Sequence, residues 1–557
     1  MQRISRMTYF FTLCMIFLGG SVAMSQVQIS TFHSDVDDTE QPYGLYLPPK
    51  YTPKKKYPLV VMLHGAGSNH RLSMRRVFGK SNFPGESDIE ASLYFPEWPP
   101  VEMIVVTPLA RGTMGYQGIA EKDVWDMLAD VEAKYSVDPD RRYLTGLSMG
   151  GGGTLWIGLT RPDYWAAIAP VCPAIPAMTD VYYPQAKGLP VKVFHGDEDP
   201  VVKVESSRVL VSALKSAGAN VTYTEYPGVK HDSWVDAYAN GAIFNWFASF
   251  KRNAQPTEVS ISTLRLRYGK SYWAEITDFP AGDTAQLHAA WRSNQLHVTT
   301  SHVEGIAFDL TQPSWIGKVA IIDLVLDGQT LQVANPRRRI ELVKESGRWR
   351  EGRSNASRTS QVEGPIIEAF GGRHLYVFGT KDQPDAKTSE KRYQEALKAA
   401  EWSFHRGDFL NRVLVFPRVV ADRDLRLSDW KRSNLVAFGT ATTNGVVDSV
   451  AKQLPVVLKE NQVQNYGLTA WVPSKYAKYV VVQSGLPWWE APATSTPGLL
   501  ARLTIPGPVG LLRNKGDFFL FEKDSGKIQI TGHYSKNWKI SENDTQKLEK
   551  TGAVLIR

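Results

Sequence analysis

The chain has 557 residues, of which 43% are hydrophobic and 22% are charged. This length is typical of about three or four compact domains, and the apolar fraction excludes wholesale disorder. The 64 basic and 56 acidic residues leave only a small positive excess, so the charge balance does not indicate a nucleic-acid partner.

The N-terminal residues 1–25 have the pattern of a secretory signal peptide. Basic residues precede the apolar run Tyr9–Gly20, which is short for a membrane span, and small residues at Ala23 and Ser25 form a cleavage site. An uncleaved membrane anchor is the alternative. We expect a secreted or periplasmic protein with no stable membrane span after cleavage. Cys172 is then its one cysteine, so no intramolecular disulfide forms.

Residues 27–253 alternate short apolar runs with helix-length amphipathic stretches. This alternation predicts an α/β unit with a mostly parallel sheet covered by helices. The predicted strands are Leu59–Leu63, Met103–Thr107, Tyr143–Gly146, Ala167–Val171 and Val191–His195, and the predicted helices are Glu121–Tyr135, Glu205–Ala217 and Val235–Phe250.

The pattern changes to strand-like alternation in residues 258–352, which predicts a small β-sandwich-like domain. Asp327-Gly328 is typical of a tight hairpin turn. The predicted strands are Ser262–Tyr268, Tyr272–Ile276, Gln286–Trp291, Leu296–Thr300 and Ala320–Leu326.

Residues 364–557 return to strand–helix alternation, which predicts a C-terminal α/β domain whose last hundred residues are rich in β-structure. No motif assigns it a role. A glycine-containing loop at 439–445 lacks the lysine of a P-loop and the glycine spacing of a dinucleotide site. The predicted strands are Leu375–Phe378, Arg412–Phe416 and Asn434–Gly439, and the predicted helices are Ser389–Phe404 and Gly445–Gln453.

The clearest chemical motif is Gly146-Leu147-Ser148-Met149-Gly150, between a predicted strand and an apolar helix. This is the context of a nucleophile elbow, where glycines permit a sharp turn that raises a serine hydroxyl above the sheet. The backbone N–H of Met149 is then directed at a developing oxyanion. Upstream, the strand Leu59–Leu63 ends in His64-Gly65-Ala66-Gly67, which predicts a second oxyanion donor at the Ala66 N–H.

A serine nucleophile needs a base, and the base needs a carboxylate that orients it. Within the first unit only His195 and His231 follow Ser148, and His231 lies in the loop before the last helix, where a base is expected. His195 comes just ahead of the acid and is expected to support its loop. We choose Asp199 over Asp197 as the acid, because Asp199 lies further into the turn.

Weaker signals surround these residues. Trp234 is a candidate wall of the substrate pocket, although packing explains it equally well. Cys172 follows another predicted strand and is a second pocket candidate, with burial as the favoured alternative. The motifs of metal, nucleotide and dinucleotide sites are absent, so we expect no metal and no cofactor.

The order Ser148, Asp199, His231 and the glycine-rich motifs resemble a secreted α/β-hydrolase. Within that superfamily the chain is most similar to the serine esterase group that contains carbohydrate esterase family one, polyhydroxybutyrate depolymerases and the prolyl oligopeptidase catalytic domain. The resemblance covers residues 27–253 and implies an acyl-enzyme mechanism.

The sequence thus predicts an exported serine hydrolase that cleaves carboxylic esters, such as acyl or feruloyl groups on a polysaccharide. The first alternative is a peptidase or amidase of the prolyl oligopeptidase superfamily. The second is a binding protein with a vestigial triad. Acyl specificity and oligomeric state are not indicated by any pattern in the chain.

Overall fold

A computed structural model describes residues 27–356, 358–402, 413–476, 478–491, 507–523 and 528–557. The signal-peptide prediction for residues 1–25 lies outside the described residues. Within them, no helix combines the length and the apolarity that a bilayer crossing requires.

The first unit is built on an eight-stranded mixed sheet with the strand order β1-β2-β4-β3-β5-β6-β7-β8. Its strands are β1 (Val27–Ser34), β2 (Thr39–Tyr46), β3 (Tyr57–Leu63), β4 (Ile104–Pro108), β5 (Val137–Leu147), β6 (Ala167–Val171), β7 (Val191–Gly196) and β8 (Val221–Tyr226). Its helices are α1 (His70–Val77), α2 (Asp88–Ala91), α3 (Ile119–Lys134), α4 (Met149–Thr160), α5 (Val204–Ser216), α6 (Trp234–Ala237) and α7 (Ala242–Ala248).

Strands β3 to β8 of this sheet run parallel, while β2 pairs antiparallel with both β1 and β4. All residues of β3 and β4 are buried, as expected for strands covered by helices on both faces. Parallel strands bring their carboxyl ends to one edge, so the loops after β3, β5, β7 and β8 meet there. The predicted α/β fold class is confirmed.

The last helix of the unit differs from the prediction of one helix over Val235–Phe250. It is divided into α6 and α7 by a turn in which Asn240 (φ 53°) and Gly241 (φ 71°) adopt left-handed conformations. Asparagine and glycine tolerate this region, and the helical dihedrals cannot continue through it.

The second unit consists of two five-stranded sheets that enclose one apolar core. Leu326 pairs with Gln329 across the predicted hairpin, and both turn residues have positive φ. The predicted strand Ser262–Tyr268 is wrong beyond Thr263, because Leu266–Tyr268 forms a 3-10 turn. The strands are β9 (Glu258–Thr263), β10 (Lys270–Ser271), β11 (Ala274–Asp278), β12 (Ala285–Arg292), β13 (Gln295–Ser301), β14 (Gly305–Asp309), β15 (Ile321–Leu326), β16 (Gln329–Ala334), β17 (Arg339–Glu345) and β18 (Arg348–Glu351).

The third unit has a seven-stranded sheet in the order β20-β19-β21-β24-β23-β25-β26, whose first four strands are parallel. Its strands are β19 (His374–Phe378), β20 (Arg418–Ala421), β21 (Asn434–Phe438), β22 (Val456–Leu458), β23 (Tyr466–Pro473), β24 (Tyr479–Gly485), β25 (Phe518–Glu522), β26 (Ile528–Gly532) and β27 (Val554–Ile556). Its helices are α8 (Ala386–Ala399), α9 (Leu427–Arg432), α10 (Gly445–Val450) and α11 (Glu542–Lys550).

The predicted strand Arg412–Phe416 is not formed over its described part. Val413 makes an isolated bridge to Gly112 of the first unit. The Phe416 N–H likewise donates to Asp37 of that unit, at 2.9 Å. Contacts between units therefore replace the sheet pairing that the apolar run suggested.

Candidate active site

Ser148 occupies the turn between β5 and α4. Its backbone has φ 55° and ψ −115°, a conformation that a residue with a side chain rarely adopts. Glycines permit the turn, since a Cβ at Gly146 would overlap the carbonyl of Gly150, and a Cβ at Gly150 would overlap the carbonyl of Leu63. The local sequence therefore folds into the strained elbow that its spacing predicts.

Ser148, His231 and Asp199 form one hydrogen-bonded line. The Nε2 atom of His231 lies 3.0 Å from the Ser148 hydroxyl oxygen, and its Nδ1 atom lies 2.7 Å from Asp199 Oδ2. Ser148 and Asp199 are buried, whereas the His231 side chain is partly exposed. This arrangement suits transfer of the serine proton to an imidazole whose tautomer the carboxylate fixes.

The Asp199 carboxylate is held from several sides. Its Oδ1 atom accepts the N–H groups of Val201 and Val202 at 2.8 and 2.9 Å. Burial alone would raise the pKa of Asp199, but hydrogen bonds from His231 and from the two backbone N–H groups outweigh burial and lower it. The stabilisation that this charge contributes is present at neutral pH and is lost as the pH falls through the lowered pKa.

Asp197, the alternative acid, lies away from the imidazole. It is exposed, and its carboxylate accepts the N–H of Gly228 at 2.7 Å. His195 is fully buried, with Nδ1 2.7 Å from the Ser207 hydroxyl and Nε2 3.2 Å from Asp199 Oδ2. The structure thus places Asp199 beside His231 and places His195 behind the acid. The Ser207 contact had no signal in the sequence.

Of the two predicted oxyanion donors, Met149 follows Ser148 at the start of α4, and Ala66 lies in the loop after β3. Met149 is the first residue of α4, so its N–H has no acceptor within the helix. Gly65 packs against Ser148, and the N–H of Gly67 is already donated to the Thr113 hydroxyl at 2.9 Å. Ala66 lies between these glycines and is exposed, so its N–H remains the predicted second donor.

The two pocket candidates lie in different environments. Trp234 packs edge-on against the His231 ring, with centroids 5.6 Å apart, and is partly exposed. Cys172 is fully buried, and its sulfur lies 3.5 Å from the His231 carbonyl oxygen. Burial raises the pKa of Cys172 to about 12. The burial of Cys172 agrees with the alternative that the sequence favoured, and its place in a substrate pocket stays a prediction.

Cys172, Asp199 and His231 offer ligand atoms that all lie within 4.8 Å of one another. The Asp199–His231 contact at 2.7 Å has the length of a hydrogen bond. The geometry of these side chains is thus explained by the triad itself.

The fold and the site together define the first unit as an α/β-hydrolase domain of the serine hydrolase type. A family model described as Phospholipase/Carboxylesterase matches residues 120–241, a range that contains Ser148, Asp199 and His231. The matched range is thus similar to serine esterases, the group that the sequence motifs indicated.

Two relatives and one solved structure illustrate the similarity. Acyl-protein thioesterase 1 of Gibberella zeae is 31% identical over 115 residues, 19% of this chain and 47% of that protein. Carboxylesterase SOBER1 of Arabidopsis thaliana is 26% identical over 128 residues, 21% of this chain and 56% of that protein. A CE1 ferulic acid esterase from Anaeromyces mucronatus is 20% identical with a TM-score of 0.30, over 39% of this chain and 88% of that one. The chain spans about half the length of these curated relatives.

Proposed function

We propose that the α/β-hydrolase domain cleaves carboxylic esters through an acyl-enzyme formed on Ser148. The observation that carries the proposal is the hydrogen-bonded line from Ser148 through His231 to Asp199. The matched family and the names of the two relatives support acyl transfer from oxygen or sulfur.

In the acylation step, the Ser148 oxygen bonds to the ester carbonyl carbon while His231 Nε2 takes the serine proton. The carbonyl oxygen becomes an oxyanion, for which the N–H groups of Met149 and Ala66 are the proposed donors. When the tetrahedral intermediate collapses, the carbon–alkoxide bond breaks and His231 returns its proton to the leaving alkoxide. Asp199 stabilises the imidazolium that exists between these two transfers.

In the deacylation step, water replaces the alcohol as the attacking group. His231 takes a proton from that water as its oxygen bonds to the acyl carbon, and then protonates Ser148 as the acid leaves. The removal of one oxyanion donor typically costs about 10²–10³ in rate, so the backbone N–H groups of Met149 and Ala66 are expected to contribute substantially beside the polar side chains.

For the substrate, we propose an acyl or feruloyl ester carried on a polysaccharide. The support is architectural: the β-sandwich and the C-terminal unit both pack against the hydrolase domain, and appended domains of this kind suit a ligand larger than a short-chain ester. Ester-bearing glycan is accordingly the proposed partner of the chain.

The test compares the wild-type protein with Ser148→Ala on an acetyl ester, a feruloyl ester and a blocked Pro-peptide amide. Ser216→Ala, which changes an exposed serine of the same domain, is the matched control. Ester turnover that is lost only in Ser148→Ala supports the proposal. Ester turnover that survives in Ser148→Ala contradicts it.

Two further outcomes separate the alternatives. Amide turnover without ester turnover indicates a peptidase. The protein is a binding protein with a vestigial triad if it turns over none of the three substrates and its Ser148 does not react with a fluorophosphonate.

We also propose that the chain is exported after cleavage before Gln26. The support is the basic start, the short apolar run and the small residues at Ala23 and Ser25. Mass spectrometry of the protein from the extracytoplasmic fraction tests this proposal: an N-terminus at Gln26 supports it, and a retained Met1 contradicts it.

A further inference from the structure

A cleft of about 730 Å³, a volume that includes space open to solvent, lies where the three units meet. The hydrolase domain contributes Trp156 and Tyr182 to its lining, and the β-sandwich contributes Arg267 and Tyr268. Phe370 belongs to the C-terminal unit. Domain junctions are a common place for small-molecule sites.

The cleft is separate from the proposed ester site. Helix α4 begins after Ser148 and carries Trp156 eight residues later, about 12 Å along its axis. Between them the chain at Ala174 crosses the helix so closely that a Cβ at Gly152 would overlap the Ala174 carbonyl. None of the three triad residues lines the cleft.

The aromatic part of the lining is a cluster of three rings that pack against one another. The rings of Trp156, Tyr182 and Tyr268 meet pairwise at 5.4–5.7 Å between centroids, each nearly perpendicular to the other two. The Trp156 indole N–H and the Tyr268 hydroxyl both donate to Glu121, at 2.9 and 2.7 Å. Glu121 accepts from the polar edges of Trp156 and Tyr268, and the Tyr268 hydroxyl also accepts from Arg267 at 2.6 Å. The parts of these buried rings that line the cleft are therefore apolar, and planar groups pack well on such surfaces.

The polar part of the lining is richer in donors than in acceptors. Arg265 and Arg267 share the single carboxylate of Glu368, at 3.4 and 2.7 Å. The Nε–H of Arg267 is buried and has no acceptor among the described residues. A third guanidinium, that of Arg513, also lines the cleft.

The carboxylates behind this lining are already engaged. Glu121 accepts from the two aromatic side chains, and Glu363 accepts the backbone N–H groups of Leu266 and Arg267. Burial raises the pKa of Glu363 to about 7, which reduces the negative charge that it presents. A ligand carboxylate would therefore meet guanidinium donors with Glu368, which is already paired with Arg265 and Arg267, as the one competing carboxylate in the described lining.

We propose that this cleft is a second ligand site, distinct from the ester site, and that it binds an aromatic carboxylate. The ring of the ligand packs against the Trp156 and Tyr268 side chains, and its carboxylate accepts from the guanidinium of Arg267. The proposal stands on the cleft alone and does not depend on ester hydrolysis at Ser148.

The first test is isothermal titration of the full-length protein with sodium trans-cinnamate, before and after Ser148 is blocked by a fluorophosphonate or, if Ser148 is unreactive, replaced in Ser148→Ala. We expect one site whose affinity is unchanged by either treatment. Cinnamyl alcohol, which has the same ring without the charge, should bind at least about tenfold more weakly, since hydrogen bonds to charged groups are the stronger ones. Absence of binding, equal affinity for the alcohol, or loss of binding on modification of Ser148 overturns the proposal.

The second test fills the cleft. Gly371 lines it with φ −79°, and a Cβ there meets no atom closer than 3.5 Å, so larger residues fit the backbone without strain. We expect Gly371→Leu to weaken cinnamate binding at least about tenfold, with Gly371→Ala as the matched control close to wild type. Arg267→Gln should weaken cinnamate but not cinnamyl alcohol. Thermal unfolding checks that each variant is folded, and folded Gly371→Leu and Arg267→Gln variants with wild-type affinity overturn the proposal.

Discussion

Two strand-to-helix loops of this molecule occupy equivalent places in their sheets but use their polar groups differently. In the hydrolase domain, residues 146–150 join a parallel strand to a helix and raise the Ser148 hydroxyl towards His231. In the C-terminal unit, residues 439–445 also join a parallel strand to a helix, between the carboxyl ends of β19 and β21. Ligands of open α/β sheets bind at such crevices.

The C-terminal loop uses its polar groups internally. The Asn444 side chain donates to the carbonyls of Val377 and Phe438, at 3.1 and 2.9 Å. The carboxylate of Asp422 accepts the N–H groups of Thr380 and Gly445, at 2.8 and 2.6 Å. In the loop of the hydrolase domain, by contrast, the Ser148 hydroxyl lies 3.0 Å from the partly exposed His231.

The largest effect is expected at Asp199, the proposed acid in the hydrogen-bonded line from Ser148 through His231. Asp199→Asn should lower kcat on an acetyl ester by about 10⁴-fold, because the amide no longer fixes the His231 tautomer or stabilises the imidazolium. Asp197→Asn should change kcat less than about tenfold, since the exposed Asp197 carboxylate accepts the backbone N–H of Gly228. Initial rates at saturating ester measure both, and the reverse ranking would assign the acid to Asp197.

Matched glycine substitutions are expected to destabilise the loop at Ser148 and to leave the C-terminal loop nearly unchanged. Gly150→Ala should destabilise the protein by about 1–3 kcal/mol and displace Ser148, because the new methyl overlaps the Leu63 carbonyl. Gly445→Ala should stay within about 0.5 kcal/mol of wild type, since its Cβ meets only Asp422, at 3.4 Å. Denaturant unfolding measures the change in stability, and ester turnover measures the displacement of Ser148. Equal effects of the two substitutions would contradict the steric explanation of the turn at Ser148.

The Asp422 carboxylate supports the closed loop of the C-terminal unit. Asp422→Ala should destabilise the protein by about 1–3 kcal/mol, because the Thr380 and Gly445 N–H groups lose their acceptor. Short-ester turnover should not change. A parallel loss of turnover would show that this loop acts in catalysis, contrary to the comparison.

A pH dependence of stability is expected at the junction of the three units. The folded-state pKa of Glu363 is raised to about 7 by burial, so the stability that its neutral form contributes is complete below the unfolded pKa, near 4.5. That stability is lost as the pH rises to about 7. The Tm of wild type should therefore fall relative to that of Glu363→Gln between about pH 4.5 and 7. Parallel Tm curves for the two proteins would contradict this assignment.

The site was predictable from the sequence where chemistry depends on local spacing. The glycines around Ser148 and the turn at Asp199 lie within a few residues of the groups that they position. The division of the last helix at Asn240 was not anticipated, because the amphipathic pattern continues across it. The junction was not predictable either, since Glu363 caps a turn at Leu266 that is distant in the chain.

The most direct test of the central claim is peptide mapping by mass spectrometry after reaction with a fluorophosphonate. The account predicts one phosphonyl adduct on Ser148 of the wild-type protein. It also predicts that adduct formation slows strongly in His231→Gln, in which the proton acceptor is missing. An unlabelled Ser148 in a folded protein that still hydrolyses esters would contradict the account.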